Sequence, residues 1–387
     1  MWGRIINAQS KTITSAAIVI GFMSLVSRFL GVFRDRILAS QFGVGDSLDI
    51  YYAAFRLPDL IFNLIILGAI SAGLIPIFSE FIAKDRKEDA WRLISNVLNI
   101  LTLVLVGCSV VLYFFMPTLM QWLTPGFGSD KIAQVVGLSR IMLISNVFLG
   151  ISTIFGTILQ SFRRFFVYSL APIFYNVGII LGALYLAPSL GVIGLAWGVV
   201  LGAFFHMMIQ IAPTFSVGFN YRFIFQWADV AVKEVWTLMI PRTLTLVVNQ
   251  LNTVIITVVA STMSAGAITI YNLSNNLQSL PLGLFGISFA VAALPTLSLL
   301  AAEKKHNEFV STISATMRQI IFLIVPISIW LYVLRAQVVR VILGAGNFTW
   351  QDTRLTAAAL ALFALSLFAQ SIIPLIIRAF YALKNTT

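Results

Sequence analysis

Charged residues are scarce in this chain: Asp, Glu, Lys and Arg make up only 10% of its 387 residues. Hydrophobic residues make up 59%, and the mean hydropathy is +0.96. A soluble globule of this size needs more polar surface than so few charged residues can supply. The composition therefore excludes a soluble protein and predicts an integral membrane protein.

Cysteine and histidine are nearly absent. Cys108 is the single cysteine, so it forms no intrachain disulfide and is expected to pack inside the protein. His206 and His306 lie far apart, and one cysteine cannot complete a metal site with them. The sequence also lacks the GxxxxGKS or GxxxxGKT phosphate loop of ATP-hydrolysing proteins. These absences predict a non-enzymatic protein without a cofactor. Any transport by such a chain would be driven by an ion gradient, the membrane potential or the substrate's own gradient.

Long apolar runs recur along the whole chain. Runs of about 20 or more residues that also contain Ser, Gly, Asn and Pro are typical of packed transmembrane helices, and not of the alternating strands of an outer-membrane barrel. We therefore predict an all-α, polytopic membrane protein. Ten spans are expected, at about 13–39, 50–83, 93–116, 132–162, 169–187, 192–212, 235–261, 267–302, 309–334 and 355–383.

The net charge of +11 is spread over short loops, without the basic, aromatic-rich domain that indicates nucleic-acid binding. About thirteen Lys and Arg residues fall in loops on the side of the N-terminus, and about four on the other side. The positive-inside rule then places the N-terminus in the cytoplasm. The anions that such a chain meets are lipid head groups or a negatively charged substrate.

An internal repeat becomes visible when the sequence is shifted by about 219 residues. The residues that then coincide include Pro76 with Pro295, Lys84 with Glu303, and the ends of LTPGF and GAGNF at Phe127 and Phe348. Six helices in the first unit, an even number, give both units the same orientation in the membrane. We predict a six-helix bundle at 1–220 and an incomplete four-helix bundle at 221–387, facing each other across the central cavity of an alternating-access transporter. The second unit lacks two helices of the first, so we expect a C-terminally truncated chain.

Charged side chains crowd the first two predicted spans, where a charge is costly unless it faces a protein interior or water. They are Arg28, Arg34, Asp35, Arg36, Asp49, Arg56 and Asp59. Asp35 can neutralise one neighbouring arginine and leave others available, which predicts a positively charged cavity for a phosphate or pyrophosphate. Structural ion pairs and snorkelling at the interfaces are the alternative, and Arg36 is expected to be structural or interfacial.

The second unit carries few charges within its spans and many amides. The candidate residues are Arg242, Arg318 and Arg378, then Asn249, Gln250 and Asn252, then Asn272, Asn275, Asn276 and Gln278. Buried amides either lock helices together or line a polar cavity for a sugar or peptide head group, and both interpretations stay open. Candidate bending points, for which close packing is the alternative, are Pro58, Gly73, Pro76, Pro281 and Pro295.

The stretch SRFLGVFRDRILASQFGVGDSLDIYYAAFRLPDL closely resembles the start of MurJ-type (MviN) lipid II flippases, which share a superfamily with the MATE exporters. The family pattern is matched by Ser27, Arg28, Leu30, Gly31, Arg34, Asp35, Phe42, Gly43, Gly45, Asp49, Ala54, Phe55, Arg56, Leu57, Pro58 and Pro76. The later stretches LPLGLFGISFAVAALPTLS and RAFYALKNTT resemble signatures of the family's second half. The resemblance extends over essentially the whole chain.

The resemblance implies a flippase of the bacterial cytoplasmic membrane. Its substrate would be the undecaprenyl-pyrophosphate-linked peptidoglycan precursor, moved from the inner to the outer leaflet, with cell-wall synthesis proteins as candidate partners. The matching positions imply that Arg28, Arg34, Asp35 and Asp49 are functional cavity residues.

This chain departs from many relatives in both halves. An arginine pair and an acidic residue are replaced by Phe62, Asn63 and Leu67, and an Asp-Arg pair by Asn275 and Asn276. The departures remove part of the family's positive site, and Arg242 is the candidate that compensates.

The predicted substrate-binding residues are Arg28, Arg34, Asp35, Asp49, Arg56, Arg242, Asn275 and Asn276. Three alternatives stay open: a MATE-type exporter of small molecules or drugs, a flippase for another polyprenyl-pyrophosphate-linked oligosaccharide, and a non-transporting envelope scaffold. The surplus of arginine favours an anionic substrate, since sites for organic cations are expected to expose unpaired carboxylates.

Overall fold

The computed structural model describes residues 13–67 and 73–383. These residues fold into helices joined by loops, and no strand occurs among them, which confirms the all-α prediction. Seven helices in this part of the chain are long and apolar enough to cross a membrane. They are Lys87–Leu123, Ser129–Ser161, Phe165–Leu190, Val192–Ser216, Ala267–Ala302, His306–Val333 and Trp350–Ala382. The number of ten spans stays a prediction.

The described residues form two compact units. One contains residues 13–37 and 45–268, and the other contains residues 38–44 and 269–383. The helix Val230–Ser261 therefore packs with the first unit. The functional division at residue 220 stays a prediction.

Up to residue 261 the helices are α1 (Ile13–Phe42), α2 (Asp46–Ala54), α3 (Arg56–Ile61), α4 (Ile75–Ala83), α5 (Lys87–Leu123), α6 (Ser129–Ser161), α7 (Phe165–Leu181), α8 (Ala187–Leu190), α9 (Val192–Ser216) and α10 (Val230–Ser261). The second unit contains α11 (Ala267–Pro281), α12 (Ser288–Ala302), α13 (His306–Val333), α14 (Arg335–Leu343) and α15 (Trp350–Ala382). Wider π-helical turns occur at Phe62–Leu67, Gly182–Leu186 and Leu282–Ile287.

The expected span 50–83 is not one continuous helix, and Pro58 explains the first break. Proline has no N–H, and its ring clashes with the carbonyl four residues earlier. That carbonyl belongs to Ala54, the last residue of α2. It accepts a hydrogen bond from Ser139 Oγ of α6 at 3.0 Å instead, and Asn146 Nδ2 donates to the Pro58 carbonyl at 2.9 Å. The Ser139 side chain therefore satisfies the carbonyl that the break exposes, and Asn146 adds a second contact between α6 and this segment.

Aromatic rings fill the core of the first unit where α5 begins. The Trp91 ring is stacked on Phe162, with centroids 5.7 Å apart and planes 12° apart. Phe78 and Phe219 approach the same indole at 5.7 and 5.6 Å. Offset stacks and edge contacts of this kind add to the apolar area that the rings bury.

Helices α7 and α9 cross in close contact at glycines. A Cβ on Gly178 would lie 2.2 Å from the Cα of Gly202, and a Cβ on Gly182 would lie 2.2 Å from the Cα of Gly198. The spacing of four residues on each helix is the small-residue pattern that lets transmembrane backbones approach. Larger side chains would force the two helices apart.

The loops after α4 and α12 adopt the same turn, 219 residues apart. Asp85 has φ 55° and Lys304 has φ 57°. The next residues, Arg86 and Lys305, donate from their backbone N–H to the carbonyl five residues earlier, at 2.9 and 3.0 Å. This is the hydrogen bond of a Schellman helix end. The shared turn supports the repeat seen in the sequence.

The non-helical connection before α10 runs along a polar stripe of α5. Asn99 Nδ2 donates to the Arg222 carbonyl at 3.2 Å. Asn96 exchanges two hydrogen bonds with the backbone of Gln226, both at 2.9 Å. These amides satisfy backbone groups that no secondary structure pairs, and they hold the connection against α5.

The glycine crossing predicts a specific cost for an added methyl group. Gly182→Ala should lower the free energy of unfolding by about 1–3 kcal/mol, because the α9 backbone must move away. Gly107→Ala in α5 is the matched control, since no heavy atom lies within 4 Å of its added Cβ. Thermal unfolding of the purified variants in detergent measures both effects, and equal stability of the two variants would contradict the crossing.

Candidate functional site

An ion pair lies on α1 inside the first unit. Arg34 Nε and Nη2 donate to Asp35 Oδ1 at 3.0 and 2.8 Å. The Asp35 side chain is 3% exposed and that of Arg34 is 20% exposed. The carboxylate thus compensates one arginine charge, as the sequence predicts.

Asn176 of α7 completes this cluster. Arg34 Nη1 donates to Asn176 Oδ1 at 3.0 Å. The amide Nδ2 of Asn176 donates to the Pro172 carbonyl at 3.1 Å and lies 3.4 Å from the Ser27 carbonyl oxygen. We call Arg34, Asp35 and Asn176 the α1–α7 cluster, because they join these two helices.

The cluster fixes the Arg34 guanidinium while leaving part of it available. A guanidinium has five N–H donors in a planar fork. Three of them are used by Asp35 and Asn176, and the other two have no partner among the described residues. A fork that is already oriented loses less side-chain entropy when an anion binds.

Asp49 and Arg56 connect the short helices to other parts of the first unit. Asp49 is 2% exposed, and its Oδ2 accepts a hydrogen bond from the Gly266 N–H at 2.7 Å. Gly266 has φ +90°, which favours glycine at this turn. Arg56 Nε donates to Thr257 Oγ1 of α10 at 2.9 Å. In this conformation both side chains hold structure together, and their use for substrate stays a prediction.

Arg28 and Arg36 lie half-buried on α1, and Asp59 lies half-buried on α3. Arg28 comes six residues before Arg34, so it is displaced along the helix by about 9 Å at 1.5 Å per residue. Its place in the substrate site stays a prediction.

Amides form a second polar group, inside the second unit. Gln278 Nε2 donates to Asn275 Oδ1 at 3.0 Å, and Gln370 Nε2 of α15 lies 3.5 Å from Gln278 Oε1. Gln370 also donates to Ser366 Oγ at 2.8 Å. Asn276 is half-buried on the same helix as Asn275. The amides therefore join α11 to α15, and this neutral group contrasts with the charged α1–α7 cluster.

The candidate bending points lie in different surroundings. Pro58 is followed by the π-helical turn Phe62–Leu67, and Pro281 immediately precedes the turn Leu282–Ile287. Pro76 stands in the first turn of α4, and Pro295 lies inside α12. The two π-helical turns occupy nearly equivalent places in the sequence repeat.

Gly73 makes a close backbone contact. A Cβ at this position would lie 2.8 Å from the Cα of Val235 in α10. Packing against α10 therefore requires glycine here, whatever its role in bending.

Some predicted residues cannot be placed. The side chains of Arg242 and Asn249 lie outside the described residues.

Arg378 Nη1 donates to the Ile287 carbonyl at 3.4 Å, at the end of the second π-helical turn. Among the described residues no group of three or more His, Cys, Asp or Glu side chains is arranged to hold a metal ion.

Sequence reasoning did not identify Asn176, Thr257 or Gln370. Each is a polar residue in a long apolar helix, and this is the one feature of the sequence that could have identified them as site residues. Which arginine or amide each contacts depends on the packing of helices that are distant in the sequence.

Comparison with known proteins gives consistent matches. The family model described as "Lipid II flippase MurJ" matches residues 38–387. A Vibrio cholerae serotype O1 protein named "Probable lipid II flippase MurJ" is 30% identical, covering 97% of this chain and 74% of its own. The "Lipid II flippase MurJ" of Burkholderia cenocepacia is 27% identical, with 96% and 73% covered.

Solved structures show the same fold. One described as "Lipid II flippase MurJ, inward closed conformation" has a TM-score of 0.82 and 26% identity, covering 96% of this chain and 77% of its own. An inward-facing multidrug resistance MATE family transporter has a TM-score of 0.68 and 17% identity, with 95% and 88% covered.

The ion pair predicts a non-additive effect on stability. Asp35→Asn leaves the largely buried Arg34 without its counter-charge, and should lower the free energy of unfolding by about 2 kcal/mol, less than for a fully buried pair because Arg34 is partly exposed. Adding Arg34→Gln to Asp35→Asn should restore much of the loss. Thermal unfolding of the two single variants and the double variant gives the coupling energy. A double variant whose loss equals the sum of the single losses would refute the pairing.

Proposed function

This chain belongs to the MurJ family of lipid II flippases, and we propose that it carries the lipid-linked peptidoglycan precursor from the cytoplasmic to the outer leaflet of the bacterial cytoplasmic membrane. The head group of this substrate is joined to undecaprenol through a pyrophosphate. Translocation is transport and requires no bond in the substrate to change.

The α1–α7 cluster is the observation that carries the proposed role of Arg34. A pyrophosphate offers several anionic oxygens, and an arginine fork bonds two of them at once. Arg34 is held by Asp35 and Asn176 and keeps two N–H donors. We assign these donors to the pyrophosphate.

Moving a polar head group across the membrane requires polar side chains within apolar helices. A sugar–peptide pyrophosphate cannot cross about 30 Å of hydrocarbon without losing its hydration. Protein donors replace part of that hydration, while the polyprenyl tail remains in the lipid. The amides around Asn275 and Gln278 are suited to the neutral sugars and peptide of the head group, because amides both donate and accept hydrogen bonds.

Alternating access requires helices that bend at defined places. The turns Phe62–Leu67 and Leu282–Ile287 recur at nearly equivalent positions of the repeat, and π-helical turns are common sites of helix bending. We assign the hinges to these turns and to the adjacent Pro58 and Pro281.

The ion pair of Asp35 argues against an exporter of organic cations. Asp35 accepts two hydrogen bonds from Arg34, so the charge of this carboxylate is compensated. A cation site needs carboxylates whose charge is not already compensated. The similarity to MATE structures concerns the fold and does not change this preference.

Arg34 provides the direct test of the proposed function. In a bacterium depleted of its own lipid II flippase, this protein should restore growth and outer-leaflet lipid II, whereas Arg34→Ala should reduce both to the level of an empty vector. Arg34→Lys should restore little, because an ammonium group cannot form the two-pronged contact.

Arg354→Ala is the matched control, since Arg354 is exposed at the start of α15. It should behave like the unaltered protein. Equal amounts of each variant in the membrane, measured by immunoblot, make the comparison valid. Full lipid II exposure with Arg34→Ala would refute the assigned role, and no exposure with the unaltered protein would refute the substrate.

A further inference from the structure

A groove opens between α5 and α6 on the surface of the first unit. It encloses about 500 Å³, and its lining is apolar except for Arg140, Ser109 and the Tyr113 hydroxyl. Val110 and Phe114 on its rim are 52% and 71% exposed. Both helices are apolar enough to span the membrane, so this exposed face meets lipid chains.

Arg140 is the one charged group in the groove lining. Its Nε donates to the Tyr113 carbonyl at 3.0 Å, and its guanidinium carbon lies 4.3 Å from the centroid of the Tyr113 ring. No ion pair within 4.0 Å joins it to an Asp or Glu among the described residues. The ring supplies a weak attraction, but the positive charge lacks a full counter-charge in an apolar place.

The guanidinium lies within reach of the head-group layer. Arg140 comes eleven residues after the start of α6 at Ser129, so its Cα is about 16 Å along the axis. Side chains on a helix slope toward its N-terminus, and long arginines extend toward the interface. Trp122, 73% exposed near the same end of the bundle, is of the type that marks the interface.

From these features we infer that the groove is a binding site for a phospholipid with a net negative head group. Its phosphate bonds to the Arg140 guanidinium, and one acyl chain fills the apolar groove. A zwitterionic lipid carries its own ammonium and supplies less net counter-charge. The site is separate from the α1–α7 cluster and does not depend on the proposed transport function.

Native mass spectrometry of the purified protein in detergent tests this inference. The protein is mixed with equal amounts of phosphatidylglycerol and phosphatidylcholine that have the same acyl chains. The relative amounts of protein bound to each lipid are then measured. The unaltered protein should prefer phosphatidylglycerol, and Arg140→Gln should reduce that preference about tenfold, the worth of one hydrogen-bonded charge contact. Arg354→Gln, at an exposed position of α15, should leave it unchanged.

A second variant tests the apolar part of the site. Val110→Trp fills the groove without changing its charge, and should reduce the retention of both lipids. Circular dichroism and thermal unfolding confirm that each variant is folded. The inference is overturned if the unaltered protein shows no preference, if Arg140→Gln keeps the preference, or if Val110→Trp retains as much lipid as before.

Discussion

The first unit depends on one electrostatic constraint, which is that the charge of the largely buried Arg34 must be compensated. Arg34 lies in a largely apolar bundle, where an uncompensated guanidinium would be costly. Asp35 supplies the opposite charge from the same helix, and Asn176 supplies a neutral acceptor from α7. Two residues beyond Asn176, Gly178 packs against Gly202 of α9. Electrostatic compensation and backbone contact thus hold three helices around one guanidinium.

The two units use different polar chemistry. The first contains an ion pair whose separation would leave a charge uncompensated, so its geometry is strongly fixed. The second contains the amide group of Asn275, Gln278 and Gln370, whose members are neutral and can exchange donors and acceptors at lower cost. The substrate proposed above, with its pyrophosphate and neutral sugars, would form both kinds of contact.

Local sequence rules predict much of this architecture. Composition predicts the all-α membrane fold, and the position of Asp35 next to Arg34 predicts their pairing. The repeat aligns the loops that begin at Lys84 and Glu303, and the structure shows the same turn in both. The α15 helix begins earlier than its apolar run, at Trp350, because Thr349 and Asp352 form a capping box. That Thr-x-x-Asp signal is readable in the sequence. The capping residues therefore predict where this helix begins, whereas the apolar run alone does not.

Long-range contacts could not be predicted in the same way. Asn176 is 142 residues from Arg34, and their contact depends on how α1 packs against α7. The bend at Pro58 in the span expected at 50–83 is a local effect of proline, but the hydrogen bond to the freed Ala54 carbonyl comes from Ser139, a residue of another helix. Single-sequence rules identify polar residues in apolar helices but not their partners.

The measurement that tests the central claim most directly is the affinity of the purified protein for the proposed undecaprenyl-pyrophosphate-linked substrate, compared with that of Asn176→Ala. This change removes the acceptor that orients Arg34 while keeping the charges of Arg34 and Asp35. If an oriented guanidinium binds the pyrophosphate, the affinity should fall about tenfold in a variant that unfolds at nearly the same temperature. An unchanged affinity in a folded Asn176→Ala variant would contradict the account, because the α1–α7 cluster would then have only a structural role.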